Sequence, residues 1–302
     1  MTITKTPYGG WPNCYRVSNG EVELVLTSDV GPRIMRYGFA GGQNFFREFA
    51  GQMGTSGEAG WVPRGGHRIW IAPEDVVKSY APENGPVAIH IAGSVVEATQ
   101  PVEPLTGIEK KITVRMAESG SGVEVVHALR NASEAVVELA PWALSMMARG
   151  GHGIHGFPPR GTHPEVLAPT NPLVMFAFTH LNDPRWRFFK KYLVLRQDPA
   201  NAVPQKLGSW NAKTWGAYLL NRELFVKRYD ALAGPAAYPD FGCSFETFTN
   251  ADILELETLG PLVKLAPDES VTHTERWELH RDVSIIEWTE DELDRVLGPL
   301  IE

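Results

Sequence analysis

The chain has 302 residues, 43% hydrophobic and 21% charged, an ordinary globular composition with material for a large core. A net charge of −8 and an isoelectric point near 5.6 argue against a nucleic-acid partner. No apolar run is long enough for a membrane span, and the N-terminal MTITKTPYGGWPNC carries no apolar signal segment, so a cytoplasmic protein with no membrane partner is expected. The two cysteines, Cys14 and Cys243, lie far apart and suggest neither a disulfide framework nor a metal-ligand set.

In chain order, strands are expected over 13–18 and 21–27, joined at the hairpin signal Asn19-Gly20, and over 34–39 after Val30-Gly31-Pro32. Residues 51–60 read as a Gly-rich exposed loop leading into VPRGGHRIWIAPED at 62–75. Alternating or apolar runs over 88–91, 94–98, 108–116 and 123–129 read as strands, with a turn at 119–122, and 134–139 and 143–147 continue the series. Strands recurring at roughly 8–12 residue spacing point to an all-β sandwich or barrel and away from βαβ units. Near the end, Thr289-Glu-Asp-Glu292 fits a capping box before Leu293, Val296 and Leu297, and predicts one helix.

The densest chemistry lies at 238–280. A strand over 252–258 would put Ile253, Glu255 and Glu257 on one face and Leu254, Leu256 and Thr258 on the other, with the leucines inward. Carboxylates two residues apart on a strand stand roughly 7 Å from each other and can share one ligand-sized space. The plainer reading is a pair of solvent-facing glutamates. After Gly260-Pro261 and a turn around Pro267-Asp268, the run 270–279 is expected to complete a hairpin-like pair with the first strand.

Other groups fit the rim of a sugar. In RGGHRIW, Arg64 and His67 are hydrogen-bond donors and Trp70 offers a flat apolar face. His152 and His155 stand three apart in a Gly-rich stretch read as a loop, where no carboxylate or cysteine partner stands nearby, so no metal site is expected. His180 and Lys206 follow strand-like runs that can end at a cleft mouth, and Asp240 sits in a turn between Pro239 and Phe241. His90 and His127 read as structural. Nine tryptophans keep a stacking surface in view. The G-x-S-x-G, P-loop, HExxH and G-x-G-x-x-G patterns are absent, which removes the chemistries they carry.

Several stretches together resemble the galactose mutarotase-like (aldose 1-epimerase) superfamily over nearly the whole chain, in an uncharacterised branch. They are Gly20-Glu-Val-Glu-Leu through Gly31-Pro-Arg-Ile, Arg64-Gly65-Gly66, VEVVHALRNAS ending at Asn131, and Leu256-Glu257-Thr258 with Leu265-Ala-Pro-Asp-Glu269. The resemblance implies a single domain, 1–302, built as a large antiparallel β-sandwich with a carbohydrate cleft and a short C-terminal helix. It implies a cofactor-free reaction on a small-molecule sugar, with Glu257 as base and Arg64 on the substrate. Where the family's acid histidine would stand, this chain has Trp142 in APWALSMM, which leaves His67, His152 or His155 as acid. The expected site is therefore Glu257 with His67 or His152 as catalytic groups, and Arg64, Trp70, Glu255, Asp240, His155, His180 and Lys206 as binding groups. A sugar-binding module without turnover and a uronate lyase or isomerase are the alternatives on the same fold.

Overall fold

The computed structural model of the chain describes residues 1–158, 160–231 and 234–301. Within them the alternating runs form two antiparallel sheets, one of eleven strands and one of ten. The first runs from Thr2–Tyr8 through Trp11–Ser18, Val22–Thr27, Arg33–Phe39, His67–Ala72 and Val137–Met147 to Leu254–Leu259, Phe245–Thr249, Gln205–Ser209 and Leu173–Met175. Val263–Leu265 attaches beside the start of Val137–Met147. The second sheet runs from Trp186–Phe188 and Tyr192–Arg196 through His152–Gly156, Trp215–Leu220, Glu223–Tyr229 and Ser270–His280. It ends with Val123–Asn131, Ile108–Met116, Val95–Thr99 and Ala88–Ala92. Their inner faces meet in one apolar cluster, with Leu24, Ile34, Leu254 and Leu256 from the first sheet and Ile112, Val125, Phe225 and Trp277 from the second. A β-sandwich with one C-terminal helix is the result.

Local chemistry explains several of these boundaries. At Asn19-Gly20 the asparagine Oδ1 accepts the backbone N–H groups of Glu21 and Val22, and Gly20 takes a φ of 93° that a side chain would resist. The helix Glu290–Ile301 starts where Thr289 Oγ1 accepts the N–H of Glu292, and it buries Leu293 and Leu297. No helix among the described residues is long and apolar enough to cross a membrane.

Three local readings change. Residues 137–139 and 143–147 belong to one strand, Val137–Met147, with 134–136 before it, and Pro141 lies where that strand changes partners. Residues 137–139 pair with Val263–Leu265, and 142–147 pair with Leu254–Leu259. Next, the runs at 252–258 and 270–279 form no hairpin, since Leu254–Leu259 lies in the first sheet and Ser270–His280 in the second. They face each other across the core, where Thr258 Oγ1 donates to Glu275. Lastly, His152 and His155 lie on the strand His152–Gly156 and not in a loop. The glycine between them permits close sheet contact: a Cβ on Gly153 would stand 2.9 Å from the Leu254 side chain.

The core is not wholly apolar. Lys227 Nζ lies 2.7 Å from Glu275 Oε1, and Trp277 Nε1 donates to Glu275 Oε2 at 2.8 Å, all without solvent contact. Burial pushes the Glu275 carboxyl up, but Lys227 together with His67, His127 and His273 outweighs it and holds the group well below the usual carboxylate range. Above them the proton positions follow from partners. His127 Nδ1 faces the His273 carbonyl at 2.9 Å and must donate, so its Nε2 accepts from His67 Nε2 at 2.7 Å. His67 Nδ1 then accepts from Ser145 Oγ at 2.8 Å. The facing atoms of His67, His127 and Glu275 lie within 4.8 Å of one another, yet each has a partner in this network.

Removing one partner of such a pair strands the other charge. Lys227→Met is therefore expected to lower stability by about 3–5 kcal/mol, measured as a lower urea midpoint. A midpoint equal to that of the wild type would show that the fold does not depend on the pair.

Candidate functional site

Residues directly opposite on antiparallel strands point to the same side of a sheet. One rung of the first sheet carries Arg68, Leu144, Glu257 and Glu246, and the next carries Met146, Glu255, Phe248 and Lys206. Trp70 and Trp142 stand together on a further rung. The intervening Leu254 and Leu256 fill the core, so these side chains occupy the outer face. There they floor a cavity of about 500 Å³, with Arg68, Trp70, Trp142, Lys206 and Glu255 from the sheet and Trp61, Glu74 and Tyr80 from the loops beside it.

Charge is unevenly shared on this face. Lys206 Nζ stands 2.7 Å from Glu246 Oε2 and 3.1 Å from Glu257 Oε2, and its ammonium lies 4.7 Å from the centre of the Trp142 ring. Trp142 Nε1 donates to the same Glu257 oxygen at 2.9 Å. Arg68 stacks 4.2 Å over Trp70, with Nη2 3.8 Å from Glu255 Oε1. Among the described residues its hydrogen bond goes to Met146 Sδ at 3.4 Å, and no oxygen accepts from it. Three carboxyls thus share two cations. Burial first and Glu257 second push the Glu255 carboxyl up to about 7 against the pull of Arg68. Burial likewise pushes Glu246 up to about 8, although Lys206 pulls it down. Lys206 is lowered by burial but raised more by Glu246 and Glu257, and stays above the usual lysine range.

No protein-family model and no curated protein matches this chain. Solved structures do match it. A galactose mutarotase-like protein from Lactobacillus casei superposes with a TM-score of 0.58 at 10% identity, over 89% of this chain and 100% of that one. A galactose mutarotase related enzyme from Lactobacillus acidophilus gives 0.55 at 9% identity over 89% and 98%. A candidate aldose 1-epimerase from Escherichia coli gives 0.52 at 11% over 89% and 99%. The fold is galactose mutarotase-like. At such identities the likeness carries the architecture and leaves the chemistry to the residues.

On this mutarotase-like sandwich, Trp70, Glu255 and Lys206 come together at the cavity. Glu257 shares their face but is 0% exposed, beneath Trp142 and Lys206. Asp240 lies nearby in a left-handed conformation, φ 51°, and burial raises its carboxyl while Lys206 lowers it. Arg64 is spent elsewhere: it is buried and donates to Asn84 and Glu58, tying two loops together. The histidines separate from the cavity. His67 is one residue out of phase with Arg68 and points into the core network. His155 also points inward, 3.2 Å from Ser209 Oγ, and burial pushes it down to about 3. His152 stacks on Trp288 at 4.3 Å in the second sheet, where burial and then Arg196 push it down to about 4. The backbone N–H of His180 donates to Gln205 Oε1, and its side chain does not line the cavity.

Arg68 and Glu246 are the functional positions that sequence reading passed over. Alternation contained both. On the strand His67–Ala72 Arg68 shares a face with Trp70 while His67 points to the other, and in Phe245–Thr249 Glu246 alternates with Phe245 and Thr247. A larger cavity of about 650 Å³, beside Trp215 and Asp294 at the C-terminal helix, holds none of the expected groups.

The raised carboxyls have a consequence for stability. Glu255 and Glu246 bind protons more tightly folded than unfolded, so their contribution is complete below the unfolded carboxylate range and is lost as pH rises through about 7 and about 8. The melting temperature of the Glu255→Gln protein is expected to fall less than that of the wild type between pH 5.5 and roughly 8.5. Parallel curves would show that Glu255 titrates alike in both states.

Proposed function

We propose that the cavity over Glu255 binds a sugar ring and that the protein interconverts its anomers by acid/base ring opening, in the manner of an aldose 1-epimerase. The observation that carries this reading is Glu255 itself, a carboxyl at the wall of an indole-lined cavity with its titration moved to about 7. Trp70 and Trp142 suit the C–H face of a pyranose, and Arg68 with Lys206 suits its oxygens.

In this mechanism Glu255, ionised, takes the proton of the anomeric hydroxyl as the C1 to ring-oxygen bond breaks. Lys206, fixed by Glu246 and Glu257, holds the ring oxygen as charge develops there; the Glu255 carboxyl passes its proton to that oxygen, C1 rotates, and on reclosure Glu255 takes the proton back and returns it to the new anomeric hydroxyl. No cofactor is needed. Glu255 is preferred over Glu257 as base because it lines the cavity, whereas Glu257 does not line it and is fully buried, with Oε2 held by Trp142 and Lys206. One observation favours binding without turnover: no histidine is among the described residues that line the cavity.

Anomer exchange of glucose and galactose, followed by saturation-transfer NMR, tests the reading. Glu255→Gln is expected to lower the enzymatic exchange rate by roughly 100-fold or more. In the wild type kcat/KM should rise with pH to a plateau above about 7, since the base must be ionised. Glu257→Gln abolishing exchange while Glu255→Gln preserves it would move the base to Glu257. Sugar binding with no exchange would establish the binding module.

A further inference from the structure

We infer that the sugar taken by this cavity carries one carboxylate, as a hexuronate does, and that the Arg68 guanidinium receives it. This rests on the carbohydrate reading of the same cavity and narrows its substrate class.

Arg68 differs from the other buried arginines. Four arginines among the described residues are buried: Arg33, Arg64, Arg68 and Arg185. Arg33 donates to the carbonyls of Pro63 and Gly65 and pairs with Glu83. Arg64 donates to Asn84 and Glu58, and Arg185 to Asp183 and the Val203 carbonyl. Arg68 is 2% exposed and lines the cavity, yet none of its donors reaches an oxygen among the described residues. Nη1 donates to Met146 Sδ, a weak acceptor, and Nε has no hydrogen-bond partner. Nη2 stands 3.8 Å from Glu255 Oε1, too far for a hydrogen bond, and that oxygen has no partner either. A buried guanidinium without an acceptor is costly, so a ligand that supplies one is favoured at this wall.

Shape and charge then select the acceptor. The guanidinium carbon lies 4.2 Å from the centre of the Trp70 ring and 5.2 Å from that of Trp61, so two indoles fix its plane. A fixed planar fork matches the two coplanar oxygens of a carboxylate. Lys206, the other cation on the lining, is already held by Glu246 at 2.7 Å and Glu257 at 3.1 Å. One cation is left, and it suits a single negative charge better than the two of a phosphate. The acidic groups on the same lining leave room for that charge. Asp252 is matched by Arg149 and Arg47, and Glu74 is exposed to water and accepts from Tyr80 Oη. Glu255, with its titration near 7, balances Arg68 only in part at neutral pH.

Isothermal titration at pH 7 with glucuronate, galacturonate, the amides of both, glucose, galactose and glucose 6-phosphate tests this. The better-bound uronate is expected to bind roughly tenfold more tightly than its parent hexose, and its amide, which keeps the shape but loses the charge, to lose that advantage. Glucose 6-phosphate should bind more weakly than that uronate. Arg68→Lys keeps the charge but loses the fork, and it should lose most of the preference for acid over amide, with an unchanged urea midpoint reporting that the variant is folded. Acids and amides binding alike, glucose 6-phosphate binding best, or a folded Arg68→Lys protein that keeps the full preference would overturn the inference alone. No binding by any of these sugars would overturn the carbohydrate reading and the inference with it.

Discussion

The outer face of the first sheet is organised by one ammonium between two buried carboxylates, Lys206 with Glu246 and Glu257. Each carboxylate alone would be too costly to bury ionised, and Lys206 can fully neutralise only one of them. Burial, and after it the neighbouring Glu257, then raise the titration of Glu246 and Glu255 beyond what the cations pull back. Trp142 closes the arrangement from above by donating to Glu257, so the deepest carboxylate is sealed and the next one along the strand, Glu255, meets the cavity. A proton-exchanging group near neutrality is thus a product of burial first and of a neighbouring carboxylate second, with too few cations on the sheet to offset them.

Rigidity comes from the strand Leu254–Leu259, every residue of which is buried. Its odd positions carry the site, and its even positions hold the core through Leu254, Leu256 and the Thr258 contact to Glu275. The polar network of His67, His127, Glu275 and Lys227 therefore lies directly behind the candidate site, one side-chain layer away through the same strands. Groups held on such a floor keep their geometry without help from loops, which suits chemistry that depends on placing a proton acceptor and a donor against one ring.

Much of the fold was legible in the sequence because alternation and turn residues act locally. Asn19-Gly20, the run from 88 to 129 and the capping box at Thr289 each specify their element through neighbours a few residues away. The pairing of Leu254–Leu259 was not legible, since sequence adjacency to Ser270–His280 suggested a hairpin where the chain crosses between sheets. The continuity of Val137–Met147 was not legible either: 137–139 and 142–147 pair with different strands, and partners are long-range facts. At the site, Trp70, Glu255 and Lys206 were identifiable from residue type, while His67 was attractive as an imidazole but lies out of phase with Trp70 on their strand. Phase along the strand, applied to RGGHRIW, would have chosen Arg68.

The most direct measurement is a carbon-13 NMR titration of the glutamate side-chain carboxyls, with Glu255 assigned by its loss in Glu255→Gln. A midpoint near 7, moving when a bound sugar is added, is the outcome expected if three carboxyls share two cations at a ligand cavity. A midpoint in the ordinary carboxylate range, unmoved by sugar, would contradict that charge deficit and the acid/base role built on it.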